Sequence, residues 1–143
     1  MKRVASARWE GNLKEGKGTM SSSSGALKEL PFSFRTRFEE APGTNPEELI
    51  GAAQAGCFSM ALSAGLSEQG MTPQSVATTA TVTLEPVDGK PTVSGIHLDV
   101  VAKIPGADDA KFQAVAAETK EQCPISRLLK PGTKITMNAR LEN

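Results

Sequence analysis

Apolar and polar positions alternate in some stretches of this chain and cluster in others, and the two patterns predict different elements. From Val4 to Trp9 the sequence VASARW alternates and then stops at Glu10-Gly11-Asn12. FSFRTRF, Phe32 to Phe38, puts Phe32, Phe34 and Phe38 on one face and Ser33, Arg35 and Arg37 on the other. A period of two predicts a strand for each. The Gly-, Ser- and Lys-rich EGNLKEGKGTMSSSSGALKEL between them predicts a hairpin with a mobile or poorly packed middle strand.

The pattern changes at Thr44. Thr44 or Asn45 can cap a helix, Pro46 suits its first position, and Glu47 and Glu48 place acids where the macrodipole favours them. The predicted helix runs to about Gly70, roughly 36 Å at 1.5 Å per residue. Its apolar residues, among them Leu49, Ile50, Ala53, Phe58, Met60 and Leu62, spread around most of the circumference. A helix apolar nearly all round belongs inside something. One layer of sheet covers only one side of it, so a second copy of the chain is expected to cover the other.

Beyond the helix, SVATTATVTLE and TVSGIHLDVVAKI flank Asp88-Gly89, a pair that favours a type I′ turn and predicts a hairpin. After Pro105-Gly106, Asp108 or Asp109 can cap a helix with the stripe Phe112, Val115, Ala116 and Thr119, ending near Cys123-Pro124. PISRLLK predicts a short helical turn, and TKITMNARL a strand with Ile135, Met137, Ala139 and Leu141 on one face. Strands, long helix, hairpin, helices and strand in that order define an α+β fold. Without a repeat or a linker, residues 1–143 are expected to form a single domain.

Composition narrows the function classes. With 143 residues, 38% of them apolar, the chain can bury a core of its own. Sixteen basic and sixteen acidic side chains cancel, and a pI near 6.6 leaves no electrostatic footprint for nucleic acid or an anionic membrane. Gln54, Ser59 and Ser63 interrupt the central apolar run, and no leader follows the basic start, so a soluble cytoplasmic protein is expected. Two cysteines and one histidine, His97, are too few for a zinc site, and no metal is expected on these thiols.

Cys57 sits in the middle of the long helix, where a thiol is ordinarily inert packing. It lies some three turns inside, beyond the reach of the N-terminal dipole, so any activation must come from a side chain that folding delivers. Arg37 is either a solvated edge arginine or, if a helix lies on its strand face, such a donor. A guanidinium about 4 Å from a thiolate is worth roughly 4 kcal/mol gross at an effective dielectric near 20. Half of that still exceeds the ~1.4 kcal/mol equivalent to one pKa unit. Glu47 is accounted for by the helix dipole alone. It stands about 15 Å from Cys57 along the helix axis, so it can serve that thiol only from another chain or through an intervening arginine. Cys123 either ends one helix, where the dipole disfavours a thiolate, or caps the next, where it favours one. His97, flanked by Ile96 and Leu98, reads as a surface residue, and no Gly-x-Ser-x-Gly elbow supports a hydrolase.

Four motifs converge on one family. RWEG at Arg8–Gly11, TRFE at Thr36–Glu39, GTNPEELIGAAQAGCFSMALS at Gly43–Ser63 and CPIS at Cys123–Ser126 together resemble the OsmC/Ohr family of thiol peroxidases, and its OsmC branch in particular. The resemblance implies an OsmC-like intertwined homodimer with mixed sheets and buried central helices. It implies reduction of organic hydroperoxides, and less well of hydrogen peroxide, with a dithiol as reductant and no metal, flavin or nucleotide. By motif, Cys57 is similar to the peroxidatic thiol, Cys123 to the resolving thiol, Arg37 to the thiolate-stabilising arginine and Glu47 to the acid that orients it. TRFE aligns Arg37 rather than Arg35 with the family arginine. The family's active sites lie at the subunit interface, and here Phe34, Phe38, Phe58 or Met60 would line an apolar pocket for the substrate's tail. The alternatives on the same fold are a non-catalytic dimeric binding or stress module and a redox sensor.

Overall fold

The first alternating stretch forms an antiparallel sheet of three strands, β1 (Ala5–Glu10), β2 (Lys17–Ser22) and β3 (Leu30–Phe32), in that spatial order. Pairing runs from Ala5↔Ser22 to Glu10↔Lys17 and from Gly18↔Phe32 to Met20↔Leu30. The middle strand, expected to be poorly packed, is therefore hydrogen-bonded on both sides. Gly18 makes this work: it is buried, and a Cβ there would run into the rings of Phe32 and Trp9, whose centroids are 5.5 Å apart.

The expected strand over Phe32–Phe38 stops at Phe32, and Phe34–Phe38 is a short helix, α1. Ser33 Oγ accepts from the Thr36 N–H at 3.3 Å, and Thr36 Oγ1 accepts from the Ser33 N–H at 2.9 Å. This reciprocal capping box turns the chain into a helix despite the alternation. Phe34 and Phe38, one turn apart, bring their rings to 5.0 Å. Arg35 and Arg37 consequently do not share a face, because helical neighbours two apart diverge.

The long helix α2 spans Pro46–Glu68, and Asn45 is its cap, accepting from the Glu48 N–H at 2.8 Å. Beyond it, β4 (Ser75–Val87) and β5 (Lys90–Lys103) form the expected hairpin. Asp88 and Gly89 both have positive φ, 50° and 75°, as a type I′ turn requires. Strand β6 (Lys134–Glu142) pairs with β5 in parallel, from Gly95↔Lys134 to Lys103↔Glu142. A parallel neighbour needs a crossover, and helices α3 (Asp109–Gln122) and α4 (Pro124–Leu129) supply it. The second sheet, ordered β4-β5-β6, is thus mixed.

The computed structural model describes residues 1–143, which divide into two compact units, Met1–Leu49 and Ile50–Asn143. The core belongs to the second unit. Ile96, Leu98, Val100 and Ala102, alternate positions of β5, pack with Phe58, Leu62 and Leu66 of α2 and with Phe112 and Ala116 of α3. On α2 the buried residues are Glu47 in the first turn and the stripe Gly51, Gln54, Phe58, Leu62 and Leu66. Ala52, Ala53 and Ala64 face outward, as does Met60 at 75% exposure. By length and composition alone α2 is long and apolar enough to cross a bilayer, with a mean hydropathy of 1.4, but its buried stripe is committed to the core.

Candidate active site

Cys57 immediately precedes Phe58 of the buried stripe, so its side chain lies on the flank of that stripe, half-buried against the core. Cys123 is 2% exposed and stands where α3 meets α4. Its backbone N–H donates to the Thr119 carbonyl at 2.9 Å, closing α3. Its sulfur accepts from the Ser126 N–H at 3.4 Å, capping α4. Of the two alternatives at this junction, the backbone satisfies the first and the side chain the second.

Both cysteines are free, and folding brings them together. Burial pushes the Cys57 thiol above the ordinary thiol range; a hydrogen bond from the Ile125 backbone opposes this, and the adjacent Cys123 side chain reinforces it. All of these groups belong to the second unit. A pair of neighbouring thiols of this kind can pass between dithiol and disulfide.

Around Cys123 lies a polar cluster absent from the sequence expectations. The Cys123 thiol donates to Ser126 Oγ at 3.3 Å, and Gln54 Nε2 donates to the same oxygen at 2.7 Å. Gln54 and Ser126 are both fully buried. The available signal was Gln54 itself, a polar residue on a core-facing stripe, together with Ser126 three residues beyond a capping Cys123.

In the first unit Arg37 grips Glu47. Nη2 donates to Oε1 at 2.8 Å, and Nε lies 3.1 Å and 3.3 Å from Oε1 and Oε2. A planar guanidinium on a carboxylate in this forked manner is strongly oriented. Glu47 is buried, whereas 39% of the Arg37 side chain remains exposed. The Arg37 guanidinium also stacks on the Phe38 ring, 5.2 Å from its centroid. Arg35 is engaged elsewhere, with the exposed Glu39 at 3.2 Å.

Arg37, Phe34 and Phe38 share the lining of a cleft of about 290 Å³ with Trp9, Leu13 and Phe32. Of the four residues expected along an apolar pocket, Phe34 and Phe38 line this cleft. Phe58 does not, because it is fully buried in the core of the second unit, and Met60 projects from the open side of α2. The four expected site residues therefore form two pairs, Arg37 with Glu47 and Cys57 with Cys123, held by different units.

An α+β chain with two free, adjacent thiols, one on an apolar helix and one at a helix junction, is a dithiol protein by construction. The family model described as OsmC-like protein matches residues 39–138, and the chain belongs to this family. It is 48% identical over 137 residues to the peroxiredoxin OsmC of Escherichia coli (strain K12), covering 96% of this chain and 94% of that one. It is 28% identical over 96 residues, 66% of each chain, to an organic hydroperoxide resistance protein of Xanthomonas axonopodis pv. citri (strain 306). The crystal structure of an OsmC-like protein from Mycoplasma pneumoniae matches with a TM-score of 0.75 at 18% identity, over 100% of this chain and 99% of that one. The expected family and the α+β fold are both borne out.

Proposed function

We propose that this protein is a thiol-dependent peroxidase that reduces organic hydroperoxides, and hydrogen peroxide less well, to alcohols or water. The observation that carries the reading is the adjacency of two free thiols on a family scaffold whose relatives are named peroxiredoxin and organic hydroperoxide resistance protein. The Cys57 thiolate attacks the distal peroxide oxygen, the O–O bond breaks, and the alkoxide takes a proton and leaves as alcohol. Cys57 is left as a sulfenic acid. Cys123 then displaces hydroxide from that sulfur to form a disulfide, and an external dithiol reduces the pair by exchange.

Burial alone works against the Cys57 thiolate, so the reaction needs a positive group. Arg37 fits that role. Glu47 orients its fork, leaving part of the guanidinium free for a thiolate and for the departing oxygen. The aromatic cleft beside Arg37 suits an alkyl or aryl tail. The exposed apolar positions of α2, Ala52, Ala53, Met60 and Ala64, favour a homodimer in which a second chain covers them. In that assembly Arg37 and Glu47 complete a site around Cys57 at the subunit interface, and residues 1–143 act as one functional domain in the cytoplasm.

The test is steady-state consumption of cumene hydroperoxide and of hydrogen peroxide, each with dithiothreitol and with dihydrolipoamide. Cys57→Ser is expected to abolish turnover, and Cys123→Ser to permit one oxidation and then stall. Equal activity in Cys57→Ser and the parent protein ends the reading.

A further inference from the structure

Gln54 is an anomaly in the core of the second unit. It occupies a fully buried position on the same stripe of α2 as Phe58 and Leu62, where an apolar side chain would carry no desolvation cost. Its Nε2 donates at 2.7 Å to Ser126 Oγ, but its Oε1 is buried without a partner. A half-satisfied buried amide is costlier than an apolar side chain of the same shape. Its one bond, however, ties together two places that matter to each other. Gln54 stands three residues before Cys57 on α2, and Ser126 three residues after Cys123 at the start of α4.

We propose that Gln54 and Ser126 form a positioning relay for the resolving step, in which Gln54 fixes the Ser126 hydroxyl and that hydroxyl aims the Cys123 sulfur at Cys57. The inference rests on the peroxidase reading given above. In the resting state the Cys123 thiol donates to Ser126 Oγ, and that oxygen also accepts from Gln54. The Ser126 proton is then free to rotate. When the Cys123 sulfur becomes the attacking nucleophile, rotation of this single hydroxyl turns Ser126 from acceptor into donor toward the sulfur. Gln54 holds the oxygen in place throughout. The new S–S bond forms as the Cys57 S–O bond breaks, and the departing hydroxide takes the former Cys123 proton as water. No further oxidant or reductant enters this step. Ser126 and Gln54 are positioning residues, because they touch the resolving sulfur or its partner and never the peroxide.

Three variants test the relay in the full-length protein: Ser126→Ala, Gln54→Met and the two combined. Single-turnover mixing with cumene hydroperoxide separates the first oxidation from resolution, with the Cys57 sulfenic acid trapped by dimedone and weighed by mass spectrometry. Formation of the sulfenic acid is expected at the parental rate in all three variants. Its conversion to disulfide is expected to slow roughly tenfold in Ser126→Ala, the loss of about one hydrogen bond in the transition state. Gln54→Met is expected to slow resolution several-fold on its own and to have no further effect once Ser126 is alanine, because it acts only through that hydroxyl. Ser126→Thr, which restores a hydroxyl, is expected to recover most of the lost rate. Parental resolution in Ser126→Ala, or additive effects in the combined variant, overturns the relay while leaving the peroxidase reading intact. Absence of any trapped sulfenic acid in the parent protein overturns the peroxidase reading, and the relay with it.

Discussion

The two units of this molecule solve opposite problems. In Ile50–Asn143 the core that holds the thiols includes side chains with no exposure at all, Phe58, Leu62, Leu98 and Phe112 among them, with Cys123 inside it and Cys57 packed half-buried against it. That same burial pushes the Cys57 thiol upward and so favours the unreactive form. In Met1–Leu49 the aromatic rings are only partly covered, Phe38 being 38% exposed, yet this unit carries the oriented guanidinium. On the peroxidase reading proposed above, placement and ionisation come from different parts of the chain. A rigid apolar core can fix a sulfur but cannot make it anionic, and a charged cleft can do the reverse.

Experiments that separate placement from ionisation sharpen this contrast. The largest effect is expected from Cys57→Ser, which should reduce hydroperoxide turnover to background while leaving the circular dichroism spectrum and unfolding midpoint near parental. Next is a matched pair of truncations read by urea unfolding. Phe112→Ala in the core should cost about 3–5 kcal/mol, whereas Phe34→Ala beside the open cleft should cost under about 1 kcal/mol. Similar losses at the two sites would remove the contrast altogether. Arg37→Met combined with Glu47→Gln removes the guanidinium without leaving a buried carboxylate unpaired. It should lower kcat/KM about 30-fold, the equivalent of ~2 kcal/mol of thiolate stabilisation, and shift Cys57 alkylation to higher pH.

The smallest effect is on the pH dependence of stability. A thiol raised in the folded state holds its proton more tightly there than in the unfolded chain, so it contributes stability that is present below the unfolded thiol pKa. That contribution is lost as pH rises through the higher folded value. The reduced Arg37→Met/Glu47→Gln protein, in which burial acts on the thiol without the guanidinium, should therefore become easier to unfold as pH rises above about 8.5, and adding Cys57→Ala should flatten that slope. An unchanged slope on adding Cys57→Ala would assign the loss to other groups.

Much of the fold was legible because its signals are local. Asn45 and Pro46 mark the start of α2, Asp88-Gly89 marks the long hairpin, and Asp108 and Cys123 bound α3. The short helix α1 was not, because its capping box sits inside seven alternating residues, and one turn of helix cannot be told from a strand by period alone. Nor was the parallel placement of β6, which depends on a crossover rather than on any property of TKITMNARL. Motifs pointed to Cys57, Cys123, Arg37 and Glu47 and implied both pairs, and geometry added that the pairs are held by different units. The Gln54–Ser126 bond joins residues far apart in the sequence, and no local pattern could have announced it. Phe58 was misplaced for a similar reason: on a helix apolar all round, nothing in the sequence says which side meets the sheet.

The parallel pairing of β6 with β5 also sets an order of events. Cys57 is made before the hairpin, but Cys123 lies on the span that must cross the sheet before β6 can dock. Closing so long a connection comes late, since its entropy must be met before the non-local pairing rewards it. The two sulfurs become neighbours only when the α3–α4 crossover has packed against α2, and a disulfide between them would be in effect a receipt for a folded crossover. An oxidant that meets the half-made chain finds lone thiols, whereas one that meets the finished protein finds a pair.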